Sequence, residues 1–409
     1  MAKKRNIIVG QSGGPTSVIN SSLAGVYKNA VERGFDKVYG MLHGIQGLLD
    51  EQYIDLSTQI HSELDIELLK RTPSAFLGSC RYKLPESLED PVYPRLFKKF
   101  EEMNIGWFFY IGGNDSMDTV LKLSNYAKSI QSDVKIIGVP KTIDNDLFAT
   151  DHTPGFGSAA KYVASTVLEI AHDAYIYKIP AVIIIEIMGR DAGWLTASSA
   201  LARTTYSQAP DLIYLPEVAF SKEQFLADVK DKLTKQKTVI VAVSEGIHDA
   251  DGNYISSDSA VADKFGHAQL SGAGKALEYL VRDEIGVKVR SIELNVLQRC
   301  AGHIASRTDI TESFSLGQAA VKYAAEGKTG IMAAIERISN DPYQWVIKSA
   351  DVADIANEAK SVPVEWINEA GNDVTDEMID YLRPLIIGEV SLQYKDGLPV
   401  YLPVDHLLH

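Results

Sequence analysis

The chain has 409 residues, of which 45% are hydrophobic and 23% are charged, and its formal net charge at pH 7 is −14. This composition argues against wholesale disorder, and the acidic balance argues against non-specific binding to nucleic acid, which depends largely on Lys and Arg contacting phosphates. The two cysteines, Cys80 and Cys300, provide neither a disulfide framework nor the spacing of a zinc site, which fits a reducing cytoplasm.

The first apolar run, which ends before Gly10, is too short for the apolar stretch of a signal peptide, although basic residues precede it. The longest apolar segment, at 181–188, is interrupted by Glu186 and is far shorter than a membrane span. We therefore expect a cytoplasmic protein that binds neither a membrane nor nucleic acid. A chain of this length is expected to form two or three domains.

Short apolar runs through the first 250 residues predict the strands of open parallel sheets. The clearest are NIIVG at 6–10, WFFYIGG at 107–113, KIIGVP at 135–140, AVIIIEIMG at 181–189 and TVIVAVSEG at 238–246. Runs that are apolar throughout, without alternation, are typical of strands that helices cover on both faces. An amphipathic stretch at 17–34 and a capping box from Ser221 to Gln224 lie between such runs. The pattern predicts a doubly wound α/β fold.

The Gly- and Pro-containing segment 151–160 is a candidate crossing between two α/β units. We therefore predict domains at residues 1–150 and 151–310. After about residue 310 the pattern turns helical, in the stretches QAAVKYAAEGK at 318–328, GIMAAIERIS at 330–339 and DEMIDYLRPL at 376–385. Residues 311–409 are predicted to form a mostly helical C-terminal segment.

Glycine turns follow the first two predicted strands, at the strand ends where open parallel sheets bind ligands. Gly13 and Gly14 let the backbone approach a ligand, and the helix after them offers N–H groups to an anion. A tight turn with a polar helix cap is the alternative. Asn114 and Asp115 begin the helix after the second run, where they either face a metal-bound phosphate or cap the helix.

The segment KTIDND at 141–146 places three ionisable groups, those of Lys141, Asp144 and Asp146, directly after a predicted buried strand. In an extended segment, positions i and i+2 point the same way, so both carboxylates can face one cavity. A carboxylate there suits proton abstraction from a hydroxyl. The alternative is an ordinary polar turn.

Further polar residues follow other strands or turns. They are Arg81 in a Gly/Ser turn, Arg190 and Glu245 after later strands, and the pair Gln298 and Arg299. A surface ion pair is the alternative for each arginine. Glycine turns together with Arg and Lys suit phosphate groups, and with Asp144 they predict phosphoryl transfer.

In their order along the chain, seven segments resemble the signature segments of the phosphofructokinase family. They are QSGGPTSVIN at 11–20, LGSCR at 77–81, IGGNDS at 111–116, PKTIDND at 140–146, MGRDAGWL at 188–195, VSEG at 243–246 and LQRCAGH at 297–303. The resemblance spans about residues 5–310. It implies two Rossmann-like domains of the phosphofructokinase fold with a helical C-terminal extension. It also implies an enzyme that uses Mg²⁺ to phosphorylate the 1-hydroxyl of fructose 6-phosphate.

The resemblance also implies a role for each matching residue. Asp144 resembles the general base, Thr142 and Asp146 flank the sugar and the metal, and Asn114 stands at the metal-associated position. The donor phosphates are expected near Gly13 and Gly14, with Arg81 bridging toward the transferring group. The sugar is expected at Met188, Gly189, Arg190 and Glu245, with Arg299 near its 6-phosphate.

Two positions are expected to choose the phosphoryl donor. Asp115 and Lys141 stand where ATP-using members typically carry glycines, and both changes are typical of the diphosphate-dependent branch. A carboxylate near the α-phosphate of ATP would repel it by about 4 kcal/mol for unit charges ~4 Å apart at an effective dielectric near 20. Diphosphate has no α-phosphate and escapes this repulsion, while Lys141 supplies positive charge to the transferring group.

Two alternatives remain open. One is an ATP-dependent phosphofructokinase with altered metal handling. The other is a catalytically silent, sugar-phosphate-binding regulatory subunit, motivated by Asn114 and by Ala181, which stands where family members often carry a basic residue for the 6-phosphate. A homo-oligomer, either a dimer or a tetramer, is implied by the resemblance alone.

Overall fold

The computed structural model describes residues 5–35, 37–255, 261–262, 268–269, 272–356 and 359–407. Its strands are β1 (Asn6–Gln11), β2 (Val38–Met41), β3 (Tyr53–Asp55), β4 (Ile105–Gly112), β5 (Lys135–Pro140), β6 (Ala181–Ile187), β7 (Leu212–Tyr214), β8 (Thr238–Ser244), β9 (Val261–Ala262), β10 (Ala268–Gln269), β11 (Lys288–Glu293), β12 (Ile331–Asn340), β13 (Tyr343–Asp351), β14 (Tyr394–Lys395) and β15 (Leu398–Pro399).

The α-helices are α1 (Ile19–Glu32), α2 (Gly44–Leu49), α3 (Glu63–Arg71), α4 (Val92–Glu102), α5 (Asn114–Ser129), α6 (Phe156–Tyr175), α7 (Trp194–Ala197), α8 (Lys222–Lys235), α9 (Ala273–Glu284), α10 (Leu297–Cys300), α11 (Arg307–Ala325) and α12 (Asp376–Leu382). Short 3₁₀ helices occupy Leu56–Thr58, Ser198–Ala202, Gly302–Ile304, Val352–Asp354, Val364–Trp366, Arg383–Ile386 and Asp405–Leu407. No helix in the described ranges is both long enough and apolar enough to cross a bilayer.

Two sheets organise the chain. The first has seven strands in the order β13-β12-β5-β4-β1-β2-β3, and only its outermost strands, β13 and β3, run antiparallel to their neighbours. The second has four parallel strands in the order β11-β6-β8-β7. Each apolar run predicted as a strand is a strand, and at most one residue of each strand is not buried, because helices cover both faces. The predicted α/β class is confirmed.

The prediction that residues 311–409 are mostly helical is wrong, chiefly because residues 331–351 form two long strands. Ile331–Asn340 is strand β12, which pairs in parallel with β5 and antiparallel with β13. The apolar stretch IMAAI is largely buried. In so short an apolar run, the spacing of the hydrophobic residues does not distinguish a buried strand from a buried helix. The prediction holds for QAAVKYAAEGK, most of which lies in α11, and for DEMIDYL, which is α12.

Helix α11 returns the chain to the first sheet by packing closely on α1. A Cβ added at Gly25 would lie 2.1 Å from the Phe314 backbone oxygen, and one added at Gly317 would lie 2.1 Å from that of Ser22. Only glycine permits this mutual approach of two helix backbones. The C-terminal residues are thereby brought back beside β5, the strand that leads into KTIDND.

Candidate active site

Two cationic side chains lie against the glycine turn that follows β1. Gly13 adopts φ +75°, which favours glycine, and its backbone N–H donates to the Cys80 carbonyl at 3.2 Å, so the LGSCR turn lies against it. A Cβ added at Gly13 would lie 3.3 Å from the Lys141 Nζ, and one added at Gly14 would lie 3.2 Å from the Arg299 Nη1. The structure therefore brings the predicted donor glycines together with two predicted charged residues.

Lys141 is the most confined of these charges. Its side chain is 2% exposed, and its Nζ donates to the Gly14 carbonyl at 2.6 Å. Burial lowers the pKa of Lys141 to about 8, while the carboxylate of Asp144 opposes this shift. A buried ammonium with one backbone partner keeps donors available for an anion, and its charge is screened less than a surface charge would be.

Asp144 and Asp146 both lie beside Lys141, but the backbone geometry differs from the predicted extended segment. Asn145, between them, adopts φ +55°, which is left-handed, so the simple alternation of side chains does not apply. Burial raises the pKa of Asp144, and burial together with the charge of Asp144 raises the pKa of Asp146 to about 7. The Thr142 hydroxyl donates to Asp144 at 3.4 Å.

Asn114 has the geometry of a residue with one open ligand position. Its Nδ2 donates to Asp146 Oδ2 at 3.0 Å, and its buried Oδ1 has no hydrogen-bond partner in the described part of the chain. No three His, Cys, Asp or Glu groups among the described residues converge as a metal cage. Mg²⁺ commonly keeps several waters and binds through one or two protein oxygens plus substrate phosphates. Asn114 and Asp146 therefore fit Mg²⁺ binding.

Asp115 has a partner that the sequence analysis missed. Its side chain is 65% exposed, and its Oδ1 lies 3.1 Å from Lys83 Nζ, just after the LGSCR segment. The ammonium reduces the net negative charge at this position, so repulsion of a third phosphate is weaker than an isolated carboxylate would exert. Arg81, two residues before Lys83, is exposed, and its charge adds to the lowering of the pKa of Lys141.

The second sheet supplies the sugar-side residues of the predicted set. Gly189 adopts φ +141°, and its N–H donates to Glu245 Oε1 at 3.3 Å. The N–H of Met188 donates to Gln298 Oε1 at 3.3 Å. Burial raises the pKa of Glu245 to about 7, and the charge of Asp144 adds to this shift. The carboxyl ends of the two sheets therefore meet at this point.

Two predicted sugar-side arginines remain, and one of them, Arg299, reaches the donor glycine turn at Gly14. Burial raises the pKa of Asp144 and of Glu245, and the charge of Arg190 opposes this rise at both acids. Arg299 has a buried Nε without a hydrogen-bond partner among the described residues. A buried guanidinium N–H with no partner is suited to an anionic ligand oxygen.

Comparisons with known proteins identify the chain further. Residues 6–324 match the family model described as Phosphofructokinase. A protein of Xanthomonas campestris pv. campestris, named Pyrophosphate--fructose 6-phosphate 1-phosphotransferase, is 43% identical over 406 residues, which cover 98% of this chain and 96% of that protein. The crystal structure of the pyrophosphate-dependent phosphofructokinase from Nitrosospira multiformis superposes with a TM-score of 0.88 at 40% identity, covering 97% of this chain and 95% of the other.

The two sheets, the glycine turn and the cluster of buried acids and cations define a phosphotransferase. The chain belongs to the phosphofructokinase family.

Proposed function

We propose that the protein transfers a phosphoryl group reversibly from diphosphate to the 1-hydroxyl of fructose 6-phosphate, giving fructose 1,6-bisphosphate and phosphate. The observation that carries this proposal is Lys141, a buried amine against the Gly13–Gly14 turn and beside Asp144. The names of the Xanthomonas and Nitrosospira proteins support diphosphate as the donor.

Each site residue has a proposed role in this reaction. Asp144 accepts the proton of the 1-hydroxyl. The hydroxyl oxygen attacks the transferred phosphorus in line, while the bond from that phosphorus to the oxygen of the leaving phosphate breaks. Lys141 stabilises negative charge on the transferring group and the leaving phosphate, with Arg81 nearby. Asn114 and Asp146 would hold Mg²⁺, which supplies charge neutralisation to diphosphate when bound. Their mutual hydrogen bond orients both side chains.

The sugar is proposed to lie against Met188, Gly189 and Arg190, with Glu245 accepting hydrogen bonds from its hydroxyls and Thr142 beside it. Arg299 is proposed to face the 6-phosphate. Ala181, the first residue of β6, carries no charge. We therefore propose that the 6-phosphate contacts made besides that of Arg299 come from residues other than Ala181.

Each region of the chain has a proposed part in this reaction. Residues 1–150 bind the donor, residues 151–310 bind the sugar, and residues 311–409 pack on both. A homo-oligomer is proposed from the family alone. A cytoplasmic location is proposed because both cysteines are free thiols.

Formation of fructose 1,6-bisphosphate with each donor tests the proposal. With fructose 6-phosphate and Mg²⁺ present, we expect turnover with diphosphate and little with ATP, and formation of diphosphate from fructose 1,6-bisphosphate and phosphate. Efficient turnover with ATP and none with diphosphate would refute the donor assignment. Sugar-phosphate binding without turnover of either donor would support the regulatory-subunit alternative.

The pH dependence of kcat/KM for diphosphate is expected to be bell-shaped. Activity requires Asp144 deprotonated, so it falls on the acidic side, and it requires Lys141 protonated, so it falls as pH rises through about 8. Replacing Lys141 by arginine should move the alkaline limb to higher pH, because a guanidinium stays charged. Substrate ionisation is common to both enzymes, so an unchanged alkaline limb in the variant would remove Lys141 as its origin.

A further inference from the structure

The residue between the two acids has no contact with substrate in the proposed reaction, but it is tied to the C-terminal part of the chain. Asn145 is fully buried, and its Oδ1 accepts a hydrogen bond from the Thr153 N–H at 3.0 Å. Its Nδ2 donates to the Tyr381 hydroxyl at 2.9 Å. The Tyr381 hydroxyl in turn donates to the Asp151 carbonyl at 2.8 Å. One phenol oxygen thus joins both ends of the segment 145–151.

A second C-terminal residue, Lys360, donates hydrogen bonds to backbone carbonyls of the same segment. The Lys360 N–H donates to the Asp146 carbonyl at 2.8 Å, and its Nζ donates to the Asp151 carbonyl at 2.6 Å. The Lys360 carbonyl accepts from Trp194 Nε1 at 2.8 Å. Trp194 follows the MGR segment, so Lys360 connects the acid-bearing loop of the first sheet with the sugar-side loop of the second.

Tyr381 is itself held by contacts with Arg337. Arg337 Nη1 donates to the Tyr381 carbonyl at 2.8 Å, and its guanidinium lies 4.5 Å from the centre of the Tyr381 ring. The same guanidinium pairs with Asp151 at 2.9 Å. The buried His152 follows, with its ring nitrogens 2.7 Å from Asp151 Oδ2 and 2.6 Å from Glu312 Oε2. This charged layer packs against Tyr381, whose hydroxyl lies 2.9 Å from Asn145 Nδ2.

We propose that Tyr381 is a positioning residue for phosphoryl transfer, which acts through Asn145 to set the directions of the Asp144 and Asp146 carboxylates. The expected effect of Tyr381 on turnover rests on the proposed function. Asn145 is left-handed, a conformation that asparagine tolerates better than most residues but that a free loop would seldom keep. Its two side-chain hydrogen bonds select that conformation, and the conformation determines how the acids on either side face the site.

Replacing Tyr381 by phenylalanine tests the role, because the ring packing stays and only the hydroxyl is lost. We expect kcat to fall about tenfold in both directions of the reaction, as for loss of a buried hydrogen bond that aligns reacting groups. The KM of each substrate should change by less than about twofold. Tyr323→Phe is the matched control, because the Tyr323 hydroxyl donates to the Ile347 carbonyl at 3.1 Å and contacts neither acid. Its kcat should equal that of the wild type.

A double-mutant cycle separates positioning from general stability. Asn145→Gly keeps the left-handed backbone accessible and removes both side-chain bonds. In that background, Tyr381→Phe should lower kcat by less than about twofold more, because the bond it would break is already gone. Fully additive effects, or wild-type kcat in Tyr381→Phe, would overturn the proposal.

Hydrogen exchange at the Thr153 amide gives a readout that needs no turnover. The amide should exchange faster in Tyr381→Phe than in Tyr323→Phe, because the loop loses its fixed partner. Equal exchange rates in the two variants would overturn the positioning role. If the wild-type protein does not use diphosphate, the proposed function fails, but this comparison still decides whether Tyr381 orders the loop.

Discussion

Replacing Asp144 by alanine is expected to lower kcat by about 10³-fold, within the range typical of a general base. The carboxylate lies beside the buried amine of Lys141 and close to Glu245 and Arg190 from the second sheet, so it is the acid at which the two halves of the site meet. Binding of fructose 6-phosphate, measured by calorimetry, should be largely retained, because other residues hold the sugar.

Two further variants make this result interpretable. Asp144→Asn keeps the size of the side chain but removes its basicity, so it should lose nearly as much turnover as the alanine variant. Asp283→Asn, on the exposed surface of α9, controls for the general effect of removing a carboxylate and should retain wild-type kcat. Near-normal turnover in both Asp144 variants would remove this residue as the base.

The second large effect is expected from replacing Asp115 and Lys141 together by glycine. The ratio of kcat/KM with ATP to kcat/KM with diphosphate should rise by about 10²-fold, less than the thousandfold of an isolated 4 kcal/mol repulsion. The reduction has a structural reason, since Asp115 is 65% exposed and pairs with Lys83. Loss of Lys141 also clears the space beside Gly13, and it should lower turnover with diphosphate outright.

Single variants separate the contribution of side-chain charge to the donor ratio from that of side-chain volume. Asp115→Asn removes the charge and keeps the volume, whereas Lys141→Gly removes a cation and opens the turn. Steady-state kinetics with both donors measure each contribution. If the double variant has the same ATP-to-diphosphate ratio as the wild type, residues other than these two determine donor choice.

Local chemistry explains which parts of the site were predictable. Glycine turns, a lysine and aspartates placed directly after buried strands reach one edge of a parallel sheet whatever the rest of the chain does. The predicted residues Gly13, Gly14, Lys141 and Asp144 accordingly lie together. Asp115 and Lys83 were harder to pair, because an ion pair between two exposed side chains leaves no pattern in the sequence.

The sequence by itself determined the α/β class, the strands that lead into the site and the identity of the acids and cations at their ends, because each depends on a few adjacent residues. Only the tertiary structure decided that Ile331–Asn340 is a strand, since its burial comes from pairing with β5 and β13. Only the tertiary structure placed Tyr381 against Asn145, a contact between residues 236 positions apart. Such contacts arise from how whole layers pack, and no local spacing encodes them.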